Sequence, residues 1–123
     1  MMRTLHVGLR VADLGRSVEF YAALGYDVVG RVAQTPLGEL VMLKLPDDEF
    51  VTLELVDDSQ HLPAGDGSTL SHLVIKVESM EETVARLRAA GIEVDEPTSP
   101  DDSPDFLTAM LADSDGNRIE LVQ

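Results

Sequence analysis

Hydrophobic and polar residues alternate from Leu5 to Val11. Leu5, Val7, Leu9 and Val11 fall on one side, and His6, Gly8 and Arg10 on the other. A period of two describes a strand with one covered face. The period then lengthens. Leu14, Val18, Tyr21 and Ala22 form the apolar stripe of a helix that Asp13 caps and Gly25 ends, running to about Leu24. Three short apolar runs follow and predict strands from Tyr26 to Val32, Glu39 to Leu45 and Phe50 to Val56, with Pro46-Asp47-Asp48 as a turn between the last two.

The same pattern returns in the second half. Ser71 to Asp95 reads like Leu5 to Val29 at a constant offset of 66: Val11 falls on Val77, Val18 on Val84, Gly25 on Gly91 and Val28 on Val94. Leu53-Glu54-Leu55 falls on Ile119-Glu120-Leu121, and no gap is needed between these matches. The second helix opens on a Ser79-x-x-Glu82 capping box, carries Met80, Val84 and Leu87, and stops at Gly91. Strands are expected from Ile92 to Glu96, Phe106 to Ala112 and Asn117 to Val122, with Ser114-Asp115-Gly116 as a turn. Each half therefore reads β-α-β-β-β. Two copies at a long period indicate a duplicated module, not a solenoid. The expected organisation is α+β, a single domain over 1–123. Its two repeats, about 4–56 and 70–122, are joined by an Asp/Gly/Ser/Pro-rich linker at 57–69.

Parity gives the polar residues a direction. Leu53 and Leu55, like Ile119 and Leu121, belong on the helix-covered face, so Glu54 and Glu120 point the other way. His6 and His72 also leave the apolar sides of their strands. A carboxylate on an inner face is costly without a partner. Singly, these residues have ordinary readings, as a satisfied core histidine or a glutamate at a solvated edge. As a set with identical spacing in two halves, they point to one divalent cation held by His6, Glu54, His72 and Glu120, with open positions for a ligand's oxygens. Two curved mixed sheets facing each other around a cleft would bring the four together. The third histidine, His61, lies in the linker, has no counterpart and is expected at the surface.

Composition narrows the chemistry. Without cysteine there is no disulfide and no thiolate ligand. No run of ~18 apolar residues is present, and no signal-like leader opens the chain, so a cytoplasmic protein is expected. Twenty-three acidic against nine basic residues give a net charge of −14. That surface repels nucleic acid and anionic membranes.

The stretch from Leu5 to Tyr26, LHVGLRVADLGRSVEFYAALGY, resembles the start of glyoxalase I. The ending from Asp113 to Gln123, DSDGNRIELVQ, resembles its D-P-D-G-x-x-I-E-L terminus, with Ser114 at the usual Pro position. The chain is thus identified as a member of the vicinal oxygen chelate group of glyoxalases, bleomycin-binding resistance proteins and dioxygenases. The resemblance implies the glyoxalase/bleomycin resistance fold. Its ligand order of His or Gln, Glu, His, Glu is met here by His6, Glu54, His72 and Glu120. It further implies a lyase or isomerase reaction on the hemithioacetal of a 2-oxoaldehyde and a thiol, as in methylglyoxal detoxification. The proton transfer forms an enediolate, with Glu120 as base and Glu54 as its symmetric counterpart. Arg10 occupies a substrate-binding position. Nickel or cobalt is implied for short forms and zinc for longer ones, in a homodimer whose metal sites are shared between chains.

The residues themselves qualify the substrate. From Gly91 to Ala112 there is no Lys or Arg, and there are six acids: Glu93, Asp95, Glu96, Asp101, Asp102 and Asp105. Charge repulsion there argues against a dianionic thiol and leaves the choice of thiol open. The alternative is a non-catalytic protein that sequesters an antibiotic on the same fold. The intact ligand set and the five aromatic residues without tryptophan argue against it.

Overall fold

The computed structural model describes residues 5–35, 38–57 and 72–123. The expected linker lies almost wholly outside these residues, and His61 lies outside them too. The chain divides into two compact units, 1–67 and 68–123.

The first unit contains β1 (Val7–Val11), α1 (Leu14–Leu24), β2 (Asp27–Val32), β3 (Leu40–Lys44) and β4 (Leu53–Asp57). Its mixed sheet has the order β1-β4-β3-β2, with β1 parallel to β4 and the other pairs antiparallel. Asp13 caps α1 by accepting from the Arg16 N–H at 3.1 Å. At the other end Gly25, at φ 133°, donates to the carbonyls of Tyr21 and Ala22. A side chain at that angle would be strained, so glycine both ends the helix and turns the chain into β2. α1 packs on β4 and β2. Leu9, Val11, Tyr21, Val41, Leu43, Leu53 and Leu55 are all buried. Leu5 and Val7 share the apolar parity of Leu9 but are exposed, so the cover over β1 begins at Leu9.

The second unit contains β5 (Leu73–Lys76), α2 (Met80–Ala89), β6 (Thr108–Ala112) and β7 (Arg118–Val122) in a sheet of order β5-β7-β6. Ser79 Oγ accepts from the Glu82 N–H at 3.2 Å, and the Gln123 side chain accepts from the Met80 N–H at 2.6 Å. The start of α2 is thereby tied to the end of β7. Met80, Val84 and Leu87 are buried along the helix, and Ile119 and Leu121 on β7.

One expected strand is absent. Ile92 to Glu96 forms no strand, and its place is taken by two attachments: the Asp95 N–H to the Met110 carbonyl at 2.9 Å, and a two-bond bridge between Thr98 and Thr108. The Ile92 N–H is spent on the Leu87 carbonyl at the helix end. Pro97 has no N–H to offer, and Glu93, Asp95 and Glu96 are poor strand formers.

The two units share their pairing at residue level. Val7 stands beside Leu53 and Leu73 beside Ile119; Gly8 beside Glu54 and Val74 beside Glu120; Arg10 beside Val56 and Lys76 beside Val122. All of these differ by 66. The third strand does not follow. Met42 pairs with Glu54, but it is Met110, 68 residues on, that pairs with Glu120. Two residues are gained before β6 and two are lost in the hairpin after it, so the gapless alignment holds only outside this stretch. The longer hairpin is organised by Asp48, whose Oδ2 accepts from the Leu45 N–H at 2.9 Å and the Thr52 hydroxyl at 2.7 Å. The shorter one is held by buried Asp113, which accepts from the backbone of Asp115 and Asn117 and from the Asn117 amide at 2.8–2.9 Å.

Tyr26 follows α1 and meets Tyr21 edge-on, with ring centroids 5.6 Å apart. Burial, with the charge of Asp48 added, pushes its hydroxyl from 10.0 up to about 12. The unfolded chain releases this proton near pH 10, and the folded chain holds it until about 12. The stabilisation is therefore complete below pH 10 and is lost as pH rises from 10 to 12. Tyr26→Phe should flatten the fall of melting temperature over that interval. An equally steep fall in the variant would place the alkaline sensitivity elsewhere.

Candidate metal centre

The face of the first sheet turned away from α1 carries the candidate chemistry. In-register neighbours share a face, so Gly8, Glu54 and Met42 form one row across β1, β4 and β3. Arg10, Val56 and Leu40 form the next. His6 precedes β1 by one residue, and the Val7 N–H donates to the Thr52 carbonyl at 3.2 Å, which fixes the start of the strand. His6 Nε2 stands 3.2 Å from Glu54 Oε2, with the side chains 30% and 13% exposed. The other ring nitrogen, Nδ1, is buried and has no hydrogen-bond partner. A buried polar atom without a partner costs about 1–3 kcal/mol, so the ring carries an unmet bonding capacity.

These two donors fit a shared cation. Metal–donor distances of about 2.1 Å put neighbouring donors roughly 3.0 Å apart in an octahedron and roughly 3.4 Å apart in a tetrahedron. The observed 3.2 Å lies between those edges. The donor set, imidazole with carboxylate and no thiolate, suits a first-row divalent ion.

The second unit sets out the same row on its own sheet. Val74, Glu120 and Met110 lie side by side across β5, β7 and β6, followed by Lys76, Val122 and Thr108. His72 precedes β5 as His6 precedes β1, and it is exposed. Glu120 is partly buried, and among the described residues its carboxylate has no hydrogen bond or ion pair. Among those residues no group of three or more His, Cys, Asp or Glu side chains gathers as a cation cage. The structure thus brings His6 and Glu54 together, one pair within one unit, and sets His72 and Glu120 at the equivalent positions of the other.

Three features of these rows were not read from the sequence. Met42 and Met110 each flank a candidate ligand glutamate. The Met-Leu pairs at 42–43 and 110–111 signal this, but only at an offset of 68. Lys76 stands where Arg10 stands in the first unit. The residues beside the two glutamates differ: an added Cβ at Gly8 would meet only Val56 Cγ2, at 3.8 Å, whereas Val74 presents a half-exposed isopropyl group.

Residues 3–121 match the family model of the Glyoxalase/Bleomycin resistance protein/Dioxygenase superfamily. The chain belongs to this superfamily. Within it, the chain is 31% identical over 134 residues to a lactoylglutathione lyase of Haemophilus influenzae, covering 99% of this chain and 93% of that one. Its fold is similar to that of a glyoxalase family protein from Enterococcus faecalis, with a TM-score of 0.80, 27% identity and coverage of 98% and 97% of the two chains. It is also similar to a trypanothione-dependent glyoxalase I of Leishmania major, with a TM-score of 0.74, 31% identity and coverage of 100% and 87%. The α+β architecture of the glyoxalase/bleomycin resistance fold is therefore that of this protein. No helix among the described residues is long and apolar enough to cross a membrane.

Proposed function

We propose that this chain is a metal-dependent lyase or isomerase of the glyoxalase I type, acting on the hemithioacetal of a 2-oxoaldehyde and a thiol. His6, Glu54, His72 and Glu120 hold one divalent ion of nickel, cobalt or zinc, two donors coming from each kind of unit. In a homodimer the two units at one site belong to different chains. When bound, the ion polarises two vicinal oxygens of the substrate as a Lewis acid.

The single observation that carries this reading is the 3.2 Å approach of His6 to Glu54, on a strand register that the second unit repeats at Glu120. The two glutamates divide the work by their surroundings. Glu54 faces an imidazole and serves to hold the ion. Glu120 has no partner among the described residues and takes the proton from one carbon and returns it to the next. A general base must be able to reach the reacting carbon and release its proton again, and the Glu120 carboxylate is engaged by no side chain among the described residues. Arg10, on the same face as His6, binds an anionic group of the thiol.

The test is thioester formation from methylglyoxal with several thiols, with nickel, cobalt and zinc added in turn to stripped protein. About one divalent ion per chain and thioester formation with at least one thiol are expected. Protein that takes up no metal under any of these conditions defeats the proposal.

A further inference from the structure

We propose that the first unit captures the divalent ion by itself, through His6 and Glu54, before His72 and Glu120 take part. This rests on the reading of these residues as cation ligands and concerns how the ion arrives, which that reading leaves open. In the first unit both donors are already in place. His6 Nε2 stands 3.2 Å from Glu54 Oε2, a donor edge that a first-row ion spans without further movement. The other ring nitrogen, Nδ1, is buried, so the ring presents Nε2, on the Glu54 side, to an incoming ion. The backbone that follows is anchored as well. The Val7 N–H donates to the Thr52 carbonyl and the Thr52 N–H to the Leu43 carbonyl, both at 3.2 Å, and the Thr52 hydroxyl donates to Asp48 at 2.7 Å.

The second unit has the same donors without the pair. His72 is exposed, and Glu120 makes no hydrogen bond or ion pair among the described residues, so the two are not drawn together. The strand residue next to each glutamate differs in the same sense. Gly8 leaves the approach to Glu54 free of a side chain, and half-exposed Val74 sets an isopropyl group next to Glu120, on the strand that His72 precedes. An ion meeting the second unit alone must gather its donors. One meeting the first unit finds them assembled. Immobilising a side chain lowers affinity each time it happens on binding, and avoiding two such losses is roughly tenfold. Capture is also loose. A ligating imidazole ordinarily gives its other N–H to an acceptor, and removing that acceptor weakens metal binding about 10–100-fold. Nδ1 of His6 has no such partner. The first unit is thus an entry point from which an ion still exchanges.

The experiment uses the full chain in two double variants. His72→Ala with Glu120→Ala keeps the first pair, and His6→Ala with Glu54→Ala keeps the second. Each loses one imidazole and one carboxylate, so donor count and net charge match, and a difference between them reports whether the remaining pair is assembled. Zinc binding is titrated by calorimetry and cobalt(II) binding by visible absorption, with excess magnesium present to occupy surface carboxylates. Melting curves without zinc or cobalt check that both variants are folded. The variant that keeps His6 and Glu54 should bind one ion, about tenfold or more tightly than its mirror. Equal affinities in the two variants overturn the proposal. So does loss of binding from the variant that keeps His6 and Glu54 while wild-type protein binds. If a double variant is unfolded, His72→Ala and His6→Ala singly carry the same comparison. Wild-type protein that makes no thioester, with this order of affinities intact, would defeat the glyoxalase reading and leave the capture site standing.

Discussion

Glu120→Gln is expected to lower thioester formation by about 10²–10⁴-fold, the usual contribution of a positioned general base. Bound metal should fall far less. The amide keeps the shape of the carboxylate and an oxygen that can still ligate, while losing the capacity to accept a proton at neutral pH. The same change at Glu54 should act in the opposite proportion. Glu54 stands 3.2 Å from His6, so neutralising it weakens the pair proposed to hold the ion, and activity should return at high metal concentration. Metal analysis beside turnover separates the two outcomes. Full activity in Glu120→Gln would remove Glu120 as the base.

Leu55→Ala, one residue along from Glu54, should cost about 2–5 kcal/mol of folding stability and leave the polar face untouched. Leu55 is fully buried on the central strand β4, in register with Leu9 on one side and Val41 on the other, on the strand that α1 packs against. Against a typical total of about 5–15 kcal/mol, such a loss is a large share. It should appear as a lower urea midpoint at unchanged slope. A loss below about 1 kcal/mol would mean that the layer collapses around the cavity and is packed less tightly than its burial indicates.

The parts of this fold legible in the sequence are those fixed by local physics. Asp13 and Ser79 cap the helices because their side chains reach an N–H three residues ahead. Gly25 ends α1 because few other residues accept its backbone angle. Strand parity placed Leu53, Leu55, Ile119 and Leu121 inside and the two glutamates on the other face. Two kinds of feature escaped. The run at Ile92 to Glu96 has the apolar spacing of a strand, but a strand needs a continuous row of donors, and Pro97 breaks it. The two-residue gain before β6 is hidden because the next hairpin is two residues shorter, so the motifs on either side stay in step. This concealed the pairing of Met110 with Glu120 and its match to Met42. At the candidate site, the closeness of His6 to Glu54 follows from register within one sheet. The proposed sharing of one ion by two such pairs rests on surfaces that leave no periodicity to read.

The unlike neighbours of the two glutamates bear on handedness. Gly8 puts no side chain beside Glu54 on β1, whereas Val74 puts a branched one beside Glu120 on β5. A thiol adds to either side of an aldehyde without help, so the adduct arrives in solution as both mirror forms. Within the proposed function, each row taken by itself presents different bulk beside its glutamate, so Gly8→Val is expected to change how the two forms are consumed.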